Sequence, residues 1–134
     1  MSLIVQKYGG SSVADAEKIK RVARRVGKAQ DQGNQVVVVV SAMGDTTDDL
    51  IDLAHKITPD PDEREMDVLL STGEIVATTL MAMALRSMGY SAVSLTGGQA
   101  GIWTDETHRK ARIVAVEAER ITKELDSGKI VVVA

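Results

Sequence analysis

Apolar residues recur along this chain with two different spacings, and the switches between them mark the elements. Leu3–Val5 and the residues up to Tyr8 read as a strand that runs into Gly9-Gly10. Ala16, Ile19, Val22, Ala23 and Val26 then repeat at helical spacing, with Lys18, Lys20, Arg21, Arg24 and Arg25 on the remaining positions. That pattern predicts an amphipathic helix whose basic stripe is its wet face. Ser12 followed by Asp15 has capping-box spacing at the helix start, and Gly33-Asn34 closes the helix. Val36–Val40 is an unbroken run of valine, so both faces of this segment should be buried. β-Branching and shortness favour a central parallel strand over a helix.

Ser41–Thr47 follows as a loop, then a short helix over about Asp48–Ile57. Thr58–Asp62 carries both prolines and predicts a surface turn. Arg64–Gly89 is a long helical stretch rich in Leu, Met and Ala, in which Met81, Met83 and Met88 are expected to fill the core. Ser71-Thr72-Gly73 should interrupt it, because glycine costs about 1 kcal/mol against alanine inside a helix. Ser91–Thr96 is a strand, and Gly97, Gly98 and Gly101 turn its exit. Ile102–Thr104 and Arg112–Val116 suggest an edge hairpin. Glu117–Ser127 is helical with Ile121 and Leu125 facing inward, Gly128 ends it, and Ile130–Val133 is the last strand. The order βαβααβ(ββ)αβ predicts the α/β class, with a mostly parallel sheet covered on both faces.

No repeat, linker or low-complexity tract divides residues 1–134. Ala134 comes directly after an apolar strand, and in such sheets ligands sit beyond the carboxyl ends of strands. A truncated domain is therefore expected; the alternative is a small domain whose last strand closes the sheet. Apolar surface and a strand edge left open beside Ile130–Val133 would promote self-association, hence a homo-oligomer.

Composition narrows the function. Cysteine is absent, which removes disulfides, thiolate metal sites and a Cys nucleophile and fits a reducing compartment. His55 and His108 lack ligand-like spacing. A net charge of −3 and only Tyr8, Tyr90 and Trp103 as aromatics argue against a nucleic-acid partner. No signal peptide is visible, and the apolar run Val36–Val40 is far short of the ~20 residues needed to cross a bilayer.

Four segments have the makings of a site. Lys7-Tyr8-Gly9-Gly10-Ser11-Ser12 sits between a strand and a helix start, where glycines let a ligand approach the backbone and N–H groups favour an anion. A plain turn explains the glycines equally well, and the pattern is neither a P-loop nor G-x-G-x-x-G. Ser41-Ala42-Met43-Gly44-Asp45-Thr46-Thr47-Asp48 offers hydroxyls to a polar ligand, or simply caps the next helix through Thr46 or Thr47. Glu74 stands between Leu69-Leu70 and Ile75-Val76 and must either face solvent or have a specific partner such as an ammonium group. Thr96–Gly101 is accounted for by turn chemistry, and His108 in Thr107–Arg112 by a solvated basic loop.

Together KYGGSS, VVVVVSAMGDTTDDLI, REMDVLLSTGE, SLTGGQAGIWTDETH and ARIV before GKIVVVA resemble the front part of the bacterial aspartate kinase family, in order and spacing from residue 3 to 134. The resemblance implies an amino-acid kinase (carbamate kinase-like) fold, an αβα sandwich, here without the nucleotide-binding half and the regulatory ACT domains. It implies a cytoplasmic enzyme that uses ATP and Mg2+ to phosphorylate the β-carboxylate of L-aspartate, the first step towards lysine, threonine and methionine. By match to the family's KxGG motif, Lys7, Tyr8, Gly9 and Gly10 would hold phosphate, with Lys7 catalytic. Ser41 and Thr47 would line the aspartate and γ-phosphate region, and Glu74 would hold the substrate's amino group. The isolated chain would then be inactive. The competing expectation is a non-catalytic lobe that packs on a partner or on itself. A kinase for glutamate or for a nucleoside monophosphate fits the Glu74 setting less well, and a dinucleotide-binding oxidoreductase lacks its glycine fingerprint.

Overall fold

A computed structural model describes residues 2–134. The strands are β1 (Leu3–Tyr8), β2 (Gln35–Val40), β3 (Ala92–Leu95), β4 (Ile102–Thr104), β5 (Ile113–Val116) and β6 (Ile130–Val133). The helices are α1 (Ala16–Asp31), α2 (Thr46–Ile57), α3 (Glu63–Ser87) and α4 (Glu119–Asp126), and a 3-10 turn spans Gly10–Val13. The main sheet runs β1-β2-β6-β3, all parallel, and β4 and β5 pair antiparallel as a separate hairpin.

The valine run lies inside this sheet, between β1 and β6. Val36, Val38 and Val40 face one core with Ile130 and Val132, covered by Ile19, Val22 and Val26 of α1 and Met81 and Leu85 of α3. Val37 faces the other, with Val131, Val133, Leu95, Ala100 and Leu125 of α4. Burial on both faces is why the segment shows no polar alternation.

The second face is covered only in part. Leu3 and Val5 of β1 remain 60% and 62% exposed, because α4 and its neighbours reach β6, β3 and Val37 but not the β1 edge. The last strand also differs from expectation. Ile130–Val133 is not an edge: it pairs with β2 and β3 and is buried throughout. The open-edge ground for self-association at this strand therefore falls away, since its N–H and C=O groups have partners on both sides.

Three helix starts and interiors depart from the sequence pattern. α1 begins at Ala16 with Asp15 as its N-cap, whose carboxylate accepts from Lys18 N at 2.8 Å; Ser12 lies in the preceding 3-10 turn. α2 begins at Thr46, so Thr46 and Thr47 are helical residues, and the cap position, Asp45, makes no side-chain bond. α3 is continuous through Ser71-Thr72-Gly73. Gly73 is there for contact: a Cβ on it would lie 3.1 Å from Thr46 Cγ2 and 3.2 Å from Ala42 Cβ. Close approach to α2 and its loop outweighs the propensity cost.

α3 is long and apolar enough, by length and composition, to cross a membrane. Its Met66, Ala77, Met81, Ala82 and Leu85 are buried in the protein core. Val68, Val76 and Met83 are exposed, so Met83 does not fill the core as Met81 does.

Candidate functional site

β1 and β2 run parallel with Lys7 opposite Val39 and Tyr8 opposite Val40, so the two strands end level. Ser41 N extends the ladder by donating to Tyr8 O at 3.2 Å. Beyond that point the chains part into two loops that stay joined. Gly44 N donates to Gly10 O at 2.9 Å. A Cβ on Gly10 would lie 2.8 Å from Ala42 O, so only glycine allows this contact without a shift of backbone. Gly44 itself takes φ +48, the left-handed region that glycine enters freely. Gly9 is different. Nothing lies within 4 Å of where its Cβ would sit, and its φ of −74 is open to any residue. Local packing therefore explains Gly10 and leaves Gly9 unexplained.

Lys7, Gly9, Gly10 and Ser41 thus gather at the carboxyl ends of adjacent strands, with Lys7 exposed and free of any ion pair among the described residues. Tyr8 is half-buried and donates its hydroxyl to Gln6 Oε1 at 3.1 Å. Thr47 and Glu74 come together elsewhere. They share a cavity of about 230 Å³ with Asp67, Leu70 and Ser71, formed where α2 crosses α3. Glu74 is exposed and has no hydrogen-bond or ion-pair partner among the described residues. Of the two options open to it, solvent is the one realised in the free chain. The Gly73 contact with Ala42 and Thr46 links this cavity to the β2 exit loop, but Lys7 is not among the residues that line it.

Asp67 and Ser71 were not legible as cavity residues. Their spacing to Glu74, seven and three residues, put all three on one helix face, but only the α2 crossing shows that this face is lined. Lys18, Arg21 and Arg25, expected as a wet stripe, border a depression of about 250 Å³ with Tyr8, Ser11 and Ser12. Among the described residues no three His, Asp or Glu side chains are grouped so as to hold a metal ion.

Residues 2–134 match the model of the amino acid kinase family. All 134 residues align at 58% identity with the aspartokinase of Mycolicibacterium smegmatis and, also at 58%, with that of Bacillus sp. strain MGA3. The chain spans about a third of the length of each, 32% and 33%. Among solved structures, aspartate kinase from Synechocystis superposes with a TM-score of 0.85 at 49% identity, over 98% of this chain and 21% of that one. Aspartokinase III of E. coli in complex with aspartate and ADP has a TM-score of 0.81 at 19% identity, over 99% of this chain and 40% of that one, a likeness of fold. The family match over nearly every residue and the superposition on aspartate kinase from Synechocystis agree, and the chain belongs to the amino acid kinase family.

Proposed function

We propose that the chain is the phosphate- and substrate-side part of an aspartate kinase, which transfers the γ-phosphoryl group of ATP to the β-carboxylate of L-aspartate. An oxygen of the carboxylate bonds to the γ-phosphorus, the bond from that phosphorus to the β,γ-bridging oxygen breaks, and ADP and 4-phospho-L-aspartate leave. The nucleophile is already ionised, so no general base is required. Such a transfer depends on positioning and on stabilising charge. A free amino acid and ATP as substrates put the enzyme in the cytoplasm.

Each residue has a part in this scheme. Lys7, exposed at the end of β1, supplies a compact positive charge to the transferring phosphoryl group. Gly9, with open space on its Cβ side, lets phosphate oxygens reach the backbone N–H groups of Gly9 and Gly10, and Tyr8 orients that loop. Ser41, level with Gly9 across the ladder, lies between the nucleotide and the amino acid. Thr47 and Glu74 take the aspartate, Glu74 pairing with its ammonium group. The open space at Gly9 and the free Lys7 fit a polyphosphate. The residues described form no acidic cage for Mg2+, which in such sites leans chiefly on phosphates and waters.

The observation that carries this assignment is the Gly10–Gly44 junction, which holds Lys7 and the Ser41–Thr47 loop in one fixed relation. The test is ADP release by the full-length gene product with L-aspartate, L-glutamate or UMP as acceptor. ADP release that requires L-aspartate is expected. Turnover with glutamate or UMP and none with aspartate would overturn the assignment.

A further inference from the structure

The Asp105–Arg112 loop between β4 and β5 is braced on itself: Asp105 N donates to Arg112 O at 3.0 Å and Thr107 N to Asp105 Oδ1 at 3.0 Å. Among the described residues, its hydrogen bonds to another element both end on one atom. Asp67 Oδ2 on α3 accepts from Arg109 N at 3.2 Å and from His108 Nδ1 at 3.1 Å. A carboxylate only accepts, so the imidazole must carry its proton on Nδ1. Arg109 has φ +64, the one positive value outside glycine among the described residues. A residue with a Cβ adopts that conformation uncommonly, and here it coincides with the two bonds to Asp67.

Asp67 also lines the cavity of Thr47, Ser71 and Glu74. One carboxylate therefore belongs both to the pocket and to the tie that holds the loop. The Asp67 and His108 side chains are 36% and 48% exposed. Exposed pairs of this kind add little to global stability, which leaves placement as the consequence of the contact. Resting on the aspartate kinase assignment above, we propose that Asp67 and His108 are positioning residues. They hold the 105–112 loop against α3 at Asp67, as a wall outside the residues that line the cavity in which Thr47 and Glu74 receive the amino-acid substrate.

Two measurements on the full-length gene product test this. Limited trypsin digestion reads the tie alone, since Arg109, Lys110 and Arg112 are cleavable within the loop. Asp67→Ala and His108→Ala should speed cleavage there, and Asp67→Asn, which keeps an acceptor for Arg109 N, should restore part of the protection. Steady-state kinetics read the wall. Both alanine variants should raise KM for aspartate by about ten-fold, within the loss that ångström-scale misplacement causes. KM for ATP should stay unchanged, and the double variant should be no worse than Asp67→Ala, as for residues in one contact. Unchanged cleavage would overturn the tie. Faster cleavage with unchanged KM for aspartate would overturn the wall. A wild-type enzyme that ignores aspartate would remove the substrate assignment and the wall with it, while the cleavage comparison would still decide whether the tie exists.

Discussion

Gly44 donates its backbone N–H to the Gly10 carbonyl at 2.9 Å, which ties the exit of β1 to the exit of β2. The two glycines of the β1 exit should therefore respond differently to alanine. At Gly10 the new Cβ meets backbone at Ala42 O, and overpacking of this kind typically costs about 1–3 kcal/mol. At Gly9 it meets nothing. Gly10→Ala should lower the denaturation midpoint. Gly9→Ala should leave it unchanged and still raise KM for ATP if, as proposed, phosphate approaches through this open space. Equal midpoints for the two variants would contradict this.

Among the described residues Glu74 has no partner, and it shares its cavity with Thr47. A charge-assisted hydrogen bond is worth roughly 1.5–3 kcal/mol, so Glu74→Gln should raise KM for aspartate about ten-fold or more. KM for ATP should not move. A parallel rise in both constants would indicate a folding defect.

Gly27 sits in the interior of α1, where alanine would ordinarily stabilise a helix by about 1 kcal/mol. Here the Tyr90 ring occupies the space a Cβ would need, and Tyr90 donates to Asp31 Oδ2 at 2.6 Å, a bond that holds the phenol above its ordinary pKa. Overpacking of about 1–3 kcal/mol should win. Gly27→Ala is expected to destabilise in urea titration, and Gly27→Ala with Tyr90→Ala should recover the helix benefit.

Glu124 is nearly buried, with Lys129 Nζ at 2.8 Å and Arg120 Nε at 2.9 Å. These two hydrogen-bonded cations hold its carboxyl below the ordinary 4.5 against the opposing effect of burial. A lowered native pKa means the contribution to stability is complete above the unfolded value and fades as pH falls through the native one. The stability gap between wild type and Glu124→Gln should therefore be constant near neutrality and close as the pH drops below about 4, the ordinary carboxylate range. A gap that widens in acid would refute the ion-pair origin.

Much of the element order could be read because each signal is local. Five valines without alternation report a strand buried on both faces, and Gly128, at φ +86, ends α4 where expected. What escaped depends on contacts far apart in sequence. Gly73 reads as a helix breaker until Ala42 and Thr46 are seen against it. An open edge is expected beside Ile130–Val133 because sequence order does not report lateral order, yet the strand lies between β2 and β3. Lys7 and Ser41 could be picked out singly, but their adjacency follows from the β1–β2 register. The tie from His108 to Asp67 spans forty-one residues and leaves no periodic trace.

The measurement that bears most directly on the central claim is trapping of the acyl phosphate. Full-length gene product, wild type and Lys7→Ala, is incubated with ATP, magnesium and L-aspartate, and the product is captured with hydroxylamine as aspartyl hydroxamate. Wild type should form the hydroxamate, and Lys7→Ala should lose about 10²–10³ in kcat, the usual cost of removing one preorganised donor to transition-state charge. Hydroxamate formation by Lys7→Ala at a near-wild-type kcat, or none by the wild-type enzyme, would contradict the placement of phosphoryl transfer at the joined ends of β1 and β2.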